Sequence, residues 1–262
     1  MKDRDFSHRN SNAGCKPSQV VQKVQSFPSS GILRKNLNLN LNSLLDKLKS
    51  AVQGSQNSVY SYVVRTVKLD HEGTRFEQHG SGPNFQGDVL TLCTCKHQMR
   101  SRLSVEQWQG NVWIAGFTSR TIHKGKHWLF CLAKVESAHE SQSDLWSKMP
   151  ADSRNAKAAH RHYLGDLFEP TIPMLTGDAR FSPRHYSMPS DHVHRKHDSW
   201  KRDINYQHTM TGKRPPLLVA NPRLTFLWEE PVIYFAFEKH CRDYLKWSSL
   251  QGLIDQLGQE VV

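Results

Sequence analysis

The sequence has no apolar run near its start and contains little cysteine. Its first ten residues, MKDRDFSHRN, are polar apart from Met1 and Phe6, so we expect no apolar signal segment there. Among its 262 residues there are five cysteines, an odd number: Cys15, Cys93, Cys95, Cys131 and Cys241. Both features favour a reducing compartment, and we expect a cytoplasmic protein that does not associate with a membrane.

The sequence also lacks the short motifs that hold metals and cofactors or activate nucleophiles. Cys93 and Cys95 form a C-x-C pair, and no second pair follows at zinc-ribbon spacing. On a strand the two thiols share one face, so they are expected to pack as small apolar groups. A thiolate activated by Lys96 is the alternative, but burial in a strand opposes it.

Other nucleophile and phosphate motifs are missing as well. The sequence has no G-x-S-x-G elbow, no Walker loop, no G-x-G-x-x-G after a strand and no zinc-deaminase pattern. We therefore predict no cofactor, no metal site and no catalytic residue, while leaving enzymatic activity open.

What the sequence does have is excess positive charge on a polar chain. Apolar residues make up 37%, and the mean hydropathy is −0.64, which indicates a core accompanied by polar tails or long loops. Thirty-five Lys and Arg oppose 24 Asp and Glu, for a net charge of +11. This excess favours a polyanionic partner, nucleic acid before membrane, because no basic helix with a bulky apolar face accompanies it.

Residues 1–57 are predicted to form a polar N-terminal extension outside the core. One amphipathic helix, at about 43–53, interrupts it with a single apolar stripe made of Leu44, Leu45, Leu48, Ala51 and Val52. The helix either docks on the main domain or recruits a protein partner. The alternating Asn and Leu residues at 36–42 are interpreted as coil or a short strand.

Residues 58–262 are predicted to form the main domain. Strands are expected at 59–67, 89–93, 112–116, 128–135, 217–220, 224–228 and 232–237, where β-branched, aromatic or continuous apolar residues occur. A short helix capped by Ser143, an irregular stretch at 151–216 and an amphipathic helix at 242–256 complete the chain. This order predicts an α+β domain with a mixed or barrel-like sheet.

The stretch at 87–120 is the first candidate for a binding pocket. Two predicted strands end in basic or polar turns, one at 96–100 and one at 118–120. Backbone amides and cations of such turns can converge on one anionic group. Lys96, Arg100 and Arg120 are the candidates for phosphates or base edges. A plain hairpin with exposed cations is the alternative.

Aromatic side chains near these cations could stack on a base. Trp113 precedes the turn at 118–120, and Trp228 ends a later strand. Aromatic faces stack on bases at about 1–3 kcal/mol each. A role in the core is the competing interpretation of Trp113.

A histidine-rich tract offers a second type of chemistry. Asp191, His192, His194 and His197 lie within seven residues. Imidazole and carboxylate groups bind zinc or iron, but no single local geometry presents all four, so a solvated loop is favoured. If the protein is an enzyme, Asp191 is the expected base or metal ligand, with His194 as its partner.

Six blocks of sequence resemble one known family. They are YSYVVR at 60–65, GPNF at 82–85, TLCTCK at 91–96, GNVWIAG at 110–116, SDHVH at 190–194 and LVANPRLTFLW at 218–228. In their order they are similar to the second type of nucleotide modification associated domain, a PUA-like family related to the EVE, ASCH and YTH modules. The resemblance covers about residues 58–237. It departs from the family where His97 replaces a proline and where 117–119 match a G-x-G-S turn only loosely.

The resemblance implies a fold and a function. The fold is a PUA-like mixed β pseudo-barrel with flanking helices, and the function concerns modified bases in phage or bacterial nucleic-acid modification or defence. EVE and YTH relatives hold a flipped modified base in an aromatic cage, which predicts a reader of modified nucleotides here. Its expected nucleotide-binding residues are Lys96, Arg100, Trp113, Thr118, Ser119, Arg120, Asp191 and Trp228. An enzyme that modifies nucleotides or DNA bases and a protein-interaction module stay as alternatives.

Overall fold

A computed structural model of the chain describes residues 24–52, 57–120, 125–159, 165–187, 200–236 and 243–260. Its strands are β1 Ser58–Val64, β2 Val67–Leu69, β3 Phe76–Gln78, β4 Thr91–Leu92, β5 Val112–Thr118, β6 His127–His139, β7 Leu217–Leu227, β8 Ile233–Phe235, β9 Leu245–Trp247 and β10 Leu257–Gln259. Its α-helices are α1 Gly31–Arg34, α2 Leu41–Val52, α3 His97–Arg100, α4 Val105–Trp108, α5 Gln142–Lys148, α6 Ala151–Lys157, α7 Lys201–Asn205 and α8 Leu250–Ile254.

Eight of the ten described strands form one mixed, curled sheet, so the α+β class predicted from the sequence is confirmed. Six strands lie in the order β10-β8-β6-β5-β1-β9, and β7 joins β6 and carries β4 on its other edge. β1 and β5 are parallel, and the other pairs in this sheet are antiparallel. The sheet curls as a half barrel with flanking helices. β2 and β3 form a separate two-stranded ribbon.

β6 is the axis of the sheet. Its 13 residues pair with β5 along one edge, and with β8 and then β7 along the other. The apolar run at 128–133 is fully buried because strands or side chains cover both of its faces. Past Lys134, β6 continues beside β7 to His139, four residues further than the sequence predicts. This extension brings polar residues to the end of the strand.

The main core is rich in large aromatic side chains. Trp108, Trp113, Trp128 and Trp228 are all at most 1% exposed. Each buried indole removes a large apolar area from water. The tryptophans of this part of the chain therefore stabilise the fold.

The predicted helix near residue 43 is confirmed as α2. The side chain of Asn40 accepts the backbone N–H of Ser43, which satisfies one of the first amides of the helix. Leu44 and Leu48 are fully buried in the main core, as is Leu33 just upstream. Of the two interpretations of this helix, the structure shows docking on the main domain. Leu33 lies before this helix, and for that residue the expectation of a position outside the core is wrong.

The irregular stretch between β6 and β7 has a small core of its own, which we call the second cluster. It consists of Ala159, Phe168, Leu175, Tyr186, Trp200 and Ile204, all buried. Two 3-10 turns, Gly177–Phe181 and Pro183–His185, and the short helix α7 surround it. Because these elements are short, many of their side chains face solvent.

Two element predictions near the ends of the sheet are wrong. The C-terminal amphipathic helix is reduced to α8, and Leu245–Trp247 instead forms β9 on the edge of β1. The Trp247 indole donates a hydrogen bond to Ser61, which fixes this pairing. The N-cap of α5 is Ser141, whose hydroxyl accepts the amide of Asp144. Within the described ranges, no helix combines the length and apolar character needed to cross a membrane.

Candidate nucleotide interface

Arg100, a predicted phosphate ligand, lies inside the protein. Its side chain is 0% exposed. The guanidinium donates to the carbonyl oxygens of Cys93, Cys95, Pro215 and Pro216 at 2.7–3.2 Å. Its donors are thus directed at backbone carbonyls, and Arg100 holds two chain segments together instead of facing a ligand.

The two tryptophans proposed to stack on a base are also buried. Trp113 lies in β5 between Val59 and Lys134 of the neighbouring strands and is 0% exposed. Trp228 is equally buried, and its indole N–H donates to the carbonyl oxygen of Leu39. Neither indole face is accessible to a base in this structure. For Trp113, this is the alternative role in the core that the sequence had left open.

The remaining described candidates lie at the end of β5 and just before α3. Thr118 is buried, and its hydroxyl accepts the backbone N–H of Trp128. Ser119 is half-buried and Arg120 is exposed. Lys96 is half-buried, with its ammonium 5.6 Å from the centre of the Tyr62 ring. Among the described candidates, Arg120 is therefore exposed, and Ser119 and Lys96 are partly exposed.

The histidine-rich tract and the cysteines were the candidates for metal binding and for nucleophilic chemistry. Asp191, with His192, His194 and His197, lies outside the described residues. In the part of the chain that the structure describes, no group of three His, Cys, Asp or Glu side chains is placed to hold a metal ion. Burial raises the pKa of the Cys95 thiol to about 11, which keeps it neutral and opposes its use as a nucleophile.

A cavity of about 360 Å³ next to the second cluster gathers basic side chains that the sequence analysis did not select. This Phe181 pocket is lined by Leu103, Ser104, Val105, Glu140, Arg180, Phe181, Lys213, Arg214 and Pro216. Three cations and one carboxylate give its wall a net positive charge. The apolar lining and the cations occupy one concave site, as in pockets that bind charged small molecules.

Two guanidinium groups approach the same aromatic ring in this pocket. The Arg214 guanidinium lies 3.9 Å from the centre of the Phe181 ring, and that of Arg180 lies 5.3 Å away. Arg180 also pairs with Glu140 at 2.6 Å. Cation–π contacts of this kind contribute about 0.5–1 kcal/mol each when exposed. The ring therefore fixes two positive charges at neighbouring positions.

The electrostatics of the pocket favour an anion. Partial burial lowers the pKa of Arg214 from its ordinary value, Asp178 raises it, and the like charge of Arg180 lowers it. An arginine keeps its proton despite such shifts. The two guanidiniums repel each other, so a bound phosphate would relieve an unfavourable interaction as well as accept hydrogen bonds.

Backbone contacts position the cationic loop of the pocket. The amide of His208 donates to the carbonyl oxygen of Lys213, and Gly212 takes a positive φ of 64° in this turn. Directly after this turn in the chain, the carbonyl oxygens of Pro215 and Pro216 accept hydrogen bonds from Arg100. Arg100 thus supports the loop that carries Lys213 and Arg214, which is an indirect role.

Little in the sequence indicates this pocket. Its wall combines residues 103–105, 140, 180–181 and 213–216, which no local periodicity connects. The available signal was the pair Arg180-Phe181, a cation next to an aromatic residue in a stretch without regular structure. An aromatic residue near a cation was also the reason for selecting Trp113, which the structure buries in the sheet.

Comparisons with known proteins provide no relative: no protein-family model, no curated protein and no solved structure matches the chain.

Proposed function

We propose that the protein binds a nucleotide unit of a nucleic-acid strand at the Phe181 pocket. The observation that carries this proposal is the pair of guanidiniums held on one aromatic ring, with Lys213 in the same wall. Arginine matches the geometry of a phosphate with paired N–H donors. The net charge of +11 supports a polyanionic partner and electrostatic attraction from a distance.

The dimensions and lining of the pocket suit one nucleotide. A volume of about 360 Å³ is at the lower end of the range of small-molecule sites, about 300–1,000 Å³. Arg180, Lys213 and Arg214 provide the phosphate contacts. Leu103, Val105 and Pro216 provide apolar contacts for a base. The lining thus contains groups that suit both chemical parts of a flat anionic ligand.

We also propose that the base is a modified one and that the fold belongs to the PUA-like family. The curled mixed sheet with flanking helices supports a PUA-like pseudo-barrel. The sequence blocks at 60–65, 91–96 and 110–116 support the nucleotide modification associated family, and with it a cytoplasmic reader of modified bases in phage or bacterial defence. In this proposal the reader is non-catalytic, and its binding residues are those of the Phe181 pocket in place of Trp113 and Arg100.

Charge removal at the pocket tests this function. We expect Arg180→Gln with Arg214→Gln to weaken binding of a fluorescein-labelled single-stranded 12-mer by at least tenfold in fluorescence anisotropy, since two phosphate contacts are lost. The matched control is Arg102→Gln with Arg223→Gln, which removes the same charge from exposed positions elsewhere. It should weaken binding by about threefold or less.

The salt dependence and the base preference complete the test. Between 50 and 200 mM salt, the pocket variant should lose affinity less steeply than the wild-type protein, because fewer counterions are released. Oligonucleotides containing 5-methylcytosine or N6-methyladenine should bind the wild-type protein more tightly than unmodified ones. An equal loss of affinity in both double variants would contradict binding at the pocket and indicate a diffuse electrostatic surface.

A further inference from the structure

A second cavity, of about 420 Å³, lies at the far end of β6 and is separate in its lining from the Phe181 pocket. Ser137 and His139 of β6 both line it. They are two residues apart on a strand, so their side chains project from the same face. The register with β7 shifts between Val135 and Ser137, an irregularity that re-aims the side chains following it.

The two side chains lie beside a carboxylate. Ser137 Oγ lies 3.0 Å from His139 Nε2. On the other side of the imidazole, His139 Nδ1 lies 3.3 Å from Asp144 Oδ2. The second contact is an ion-pair distance, and Nδ1 has no hydrogen-bond partner among the described residues. Catalytic contacts are often poorly aligned in this way before substrate binds. A hydroxyl, an imidazole and a carboxylate thus stand in the order found in nucleophilic hydrolases.

Each group is placed as its chemistry requires. Ser137 is half-buried and reaches the cavity, whereas His139 is 6% exposed and Asp144 stands behind it. Asp144 lies in the first turn of α5, where Ser141 caps the helix and accepts the amide of Asp144. Lys148 binds the other carboxylate oxygen at 3.0 Å. These contacts fix the carboxylate within 3.3 Å of the imidazole.

The cavity also shows what kind of substrate would fit. Its walls include the apolar side chains of Leu145, Met149 and Val219. Asp88, Glu136 and Lys148 provide the charged groups of the wall. Two carboxylates and one ammonium disfavour an anionic substrate such as a phosphate. An uncharged molecule with an apolar acyl group suits this lining.

We propose that Ser137, His139 and Asp144 form a hydrolytic site for uncharged carboxylic esters with an apolar acyl group. Ser137 and His139 are its catalytic residues, and Asp144 is a positioning residue. The proposal is independent of nucleotide binding at the Phe181 pocket, because the two cavities have different linings.

The reaction proceeds in two balanced steps. Ser137 Oγ forms a bond to the ester carbonyl carbon while His139 Nε2 takes the hydroxyl proton. The bond to the alkoxy group then breaks, and the alcohol leaves with that proton. In the second step water attacks the acyl-serine, His139 again moves the proton, and the carboxylic acid and the Ser137 hydroxyl are formed.

The local charges keep the imidazole available as a base. Burial lowers the pKa of His139, Asp144 raises it and Lys148 lowers it again, with a net shift below the ordinary value. The charged groups of the cavity wall that accompany it are Asp88, Glu136 and Lys148. The imidazole is therefore neutral at pH 7 and can accept the serine proton.

Covalent labelling of the full-length protein tests the nucleophile. We expect a fluorophosphonate probe to add to Ser137, as identified by peptide mass spectrometry, and expect Ser137→Ala to abolish that adduct. Ser147→Ala is the control, because this exposed serine of α5 donates to the carbonyl oxygen of Asp144 and lies outside the cavity lining. It should label like the wild-type protein.

Turnover provides the second measurement. Hydrolysis of p-nitrophenyl butyrate should fall at least 100-fold in Ser137→Ala and in His139→Gln, and both proteins should show a cooperative thermal transition. In Asp144→Asn we expect kcat to fall with little change in KM. The acid limb of the kcat profile should also move to lower pH, because the carboxylate that raises the His139 pKa is gone.

The opposite results would overturn the proposal. It is wrong if a folded wild-type protein takes up no probe, if the probe maps to another residue, or if Ser137→Ala hydrolyses the ester at the wild-type rate. A drop in activity in Asp144→Asn with an unchanged pH profile would remove Asp144 from the site. Oligonucleotide binding in Ser137→Ala should stay at the wild-type level, which separates this result from the fate of the Phe181 pocket.

Discussion

The curled sheet and the second cluster use the same types of residue in opposite ways. In the sheet region, Arg100, Trp113 and Trp228 are fully buried and serve the fold. Around the second cluster, Arg180 and Arg214 remain partly exposed, line a cavity and both approach the ring of Phe181. The neighbourhood of cations and aromatic residues in the sequence therefore does not determine their role.

The difference follows from the size of the two cores. The sheet has long strands that pair on both edges and helices on its faces, so even large polar side chains are enclosed and must be satisfied internally. The second cluster has six buried residues and short turns, which cannot cover the side chains around it. Binding residues commonly lie on such connecting segments, held in place by a rigid scaffold.

Truncating one tryptophan in each region should separate the two cores most clearly. Trp113→Ala should lower the free energy of unfolding by about 3–5 kcal/mol, because it leaves a cavity in the sheet core. Trp200→Ala, at 6% exposure in the second cluster, should cost less, about 1–2 kcal/mol, because the smaller core can relax. Urea denaturation measures both.

Hydrogen exchange provides the control for that comparison. Amides of β5 and β6 should exchange only through global unfolding, whereas amides of α7 and its neighbouring turns should exchange through local opening at lower cost. Equal protection of the two regions would show that they unfold as one cooperative unit and that the distinction between them has no energetic basis.

A substitution at Arg100 tests whether its burial is structural. Arg100→Met should destabilise the protein by about 3 kcal/mol, because four buried carbonyl oxygens lose their donors. Arg102→Met is the matched control two residues away, where the exposed guanidinium stacks on Tyr244 at 5.5 Å. It should cost less than about 1 kcal/mol.

The same pair of variants also tests the placement of the ligand. At a temperature where both proteins are folded, Arg102→Met should bind an oligonucleotide nearly as well as the wild-type protein. Arg100→Met should bind more weakly only through the loss of support for the loop at 213–216. A stable Arg100→Met protein with abolished binding would return Arg100 to the role of a direct phosphate ligand.

The elements that the sequence predicted well are those determined locally. The stripe of Leu44 and Leu48 identified α2, and the largely apolar run at 128–135 identified β6. In both cases the spacing of apolar residues within a few positions is enough to indicate the element. The predictions that were wrong concern segments whose structure depends on residues distant in the chain. Leu245–Trp247 forms a strand because the edge of β1, about 185 positions earlier, offers a place to pair.

The candidate sites depend on such distant contacts even more. Whether Arg100 faces solvent or four carbonyl oxygens depends on Pro215 and Pro216, more than 110 positions away. The Phe181 pocket likewise joins four separate segments. The spacing of Ser137 and His139 could have suggested a shared face of a strand, but β6 was expected to end at Val135, and Asp144 enters only through the turn into α5.

Lys157 lies where the two regions meet, and its titration gives the smallest of the expected effects. Its ammonium is fully buried and donates to the carbonyl and side-chain oxygens of Asn84, both at 3.0 Å, while its own carbonyl accepts the amides of Asp166 and Leu167. Burial lowers the pKa of Lys157 to about 8, against 10.5 for an ordinary lysine, although Asp166 raises it.

The direction of the pH dependence follows from this shift. Between about pH 8 and 10.5 the unfolded chain holds a proton on Lys157 that the folded protein has released, so stability rises with pH in this window. Relative to Lys157→Met, the wild-type protein should gain about 1 kcal/mol of unfolding free energy between pH 8 and 9 in urea titrations. Other titrating groups cancel in this difference. Lys47→Met, at an exposed position of α2, should show no such gain. A gap between wild type and Lys157→Met that stays constant over this range would mean that the ammonium at the junction of the two regions is as well solvated as one at the surface.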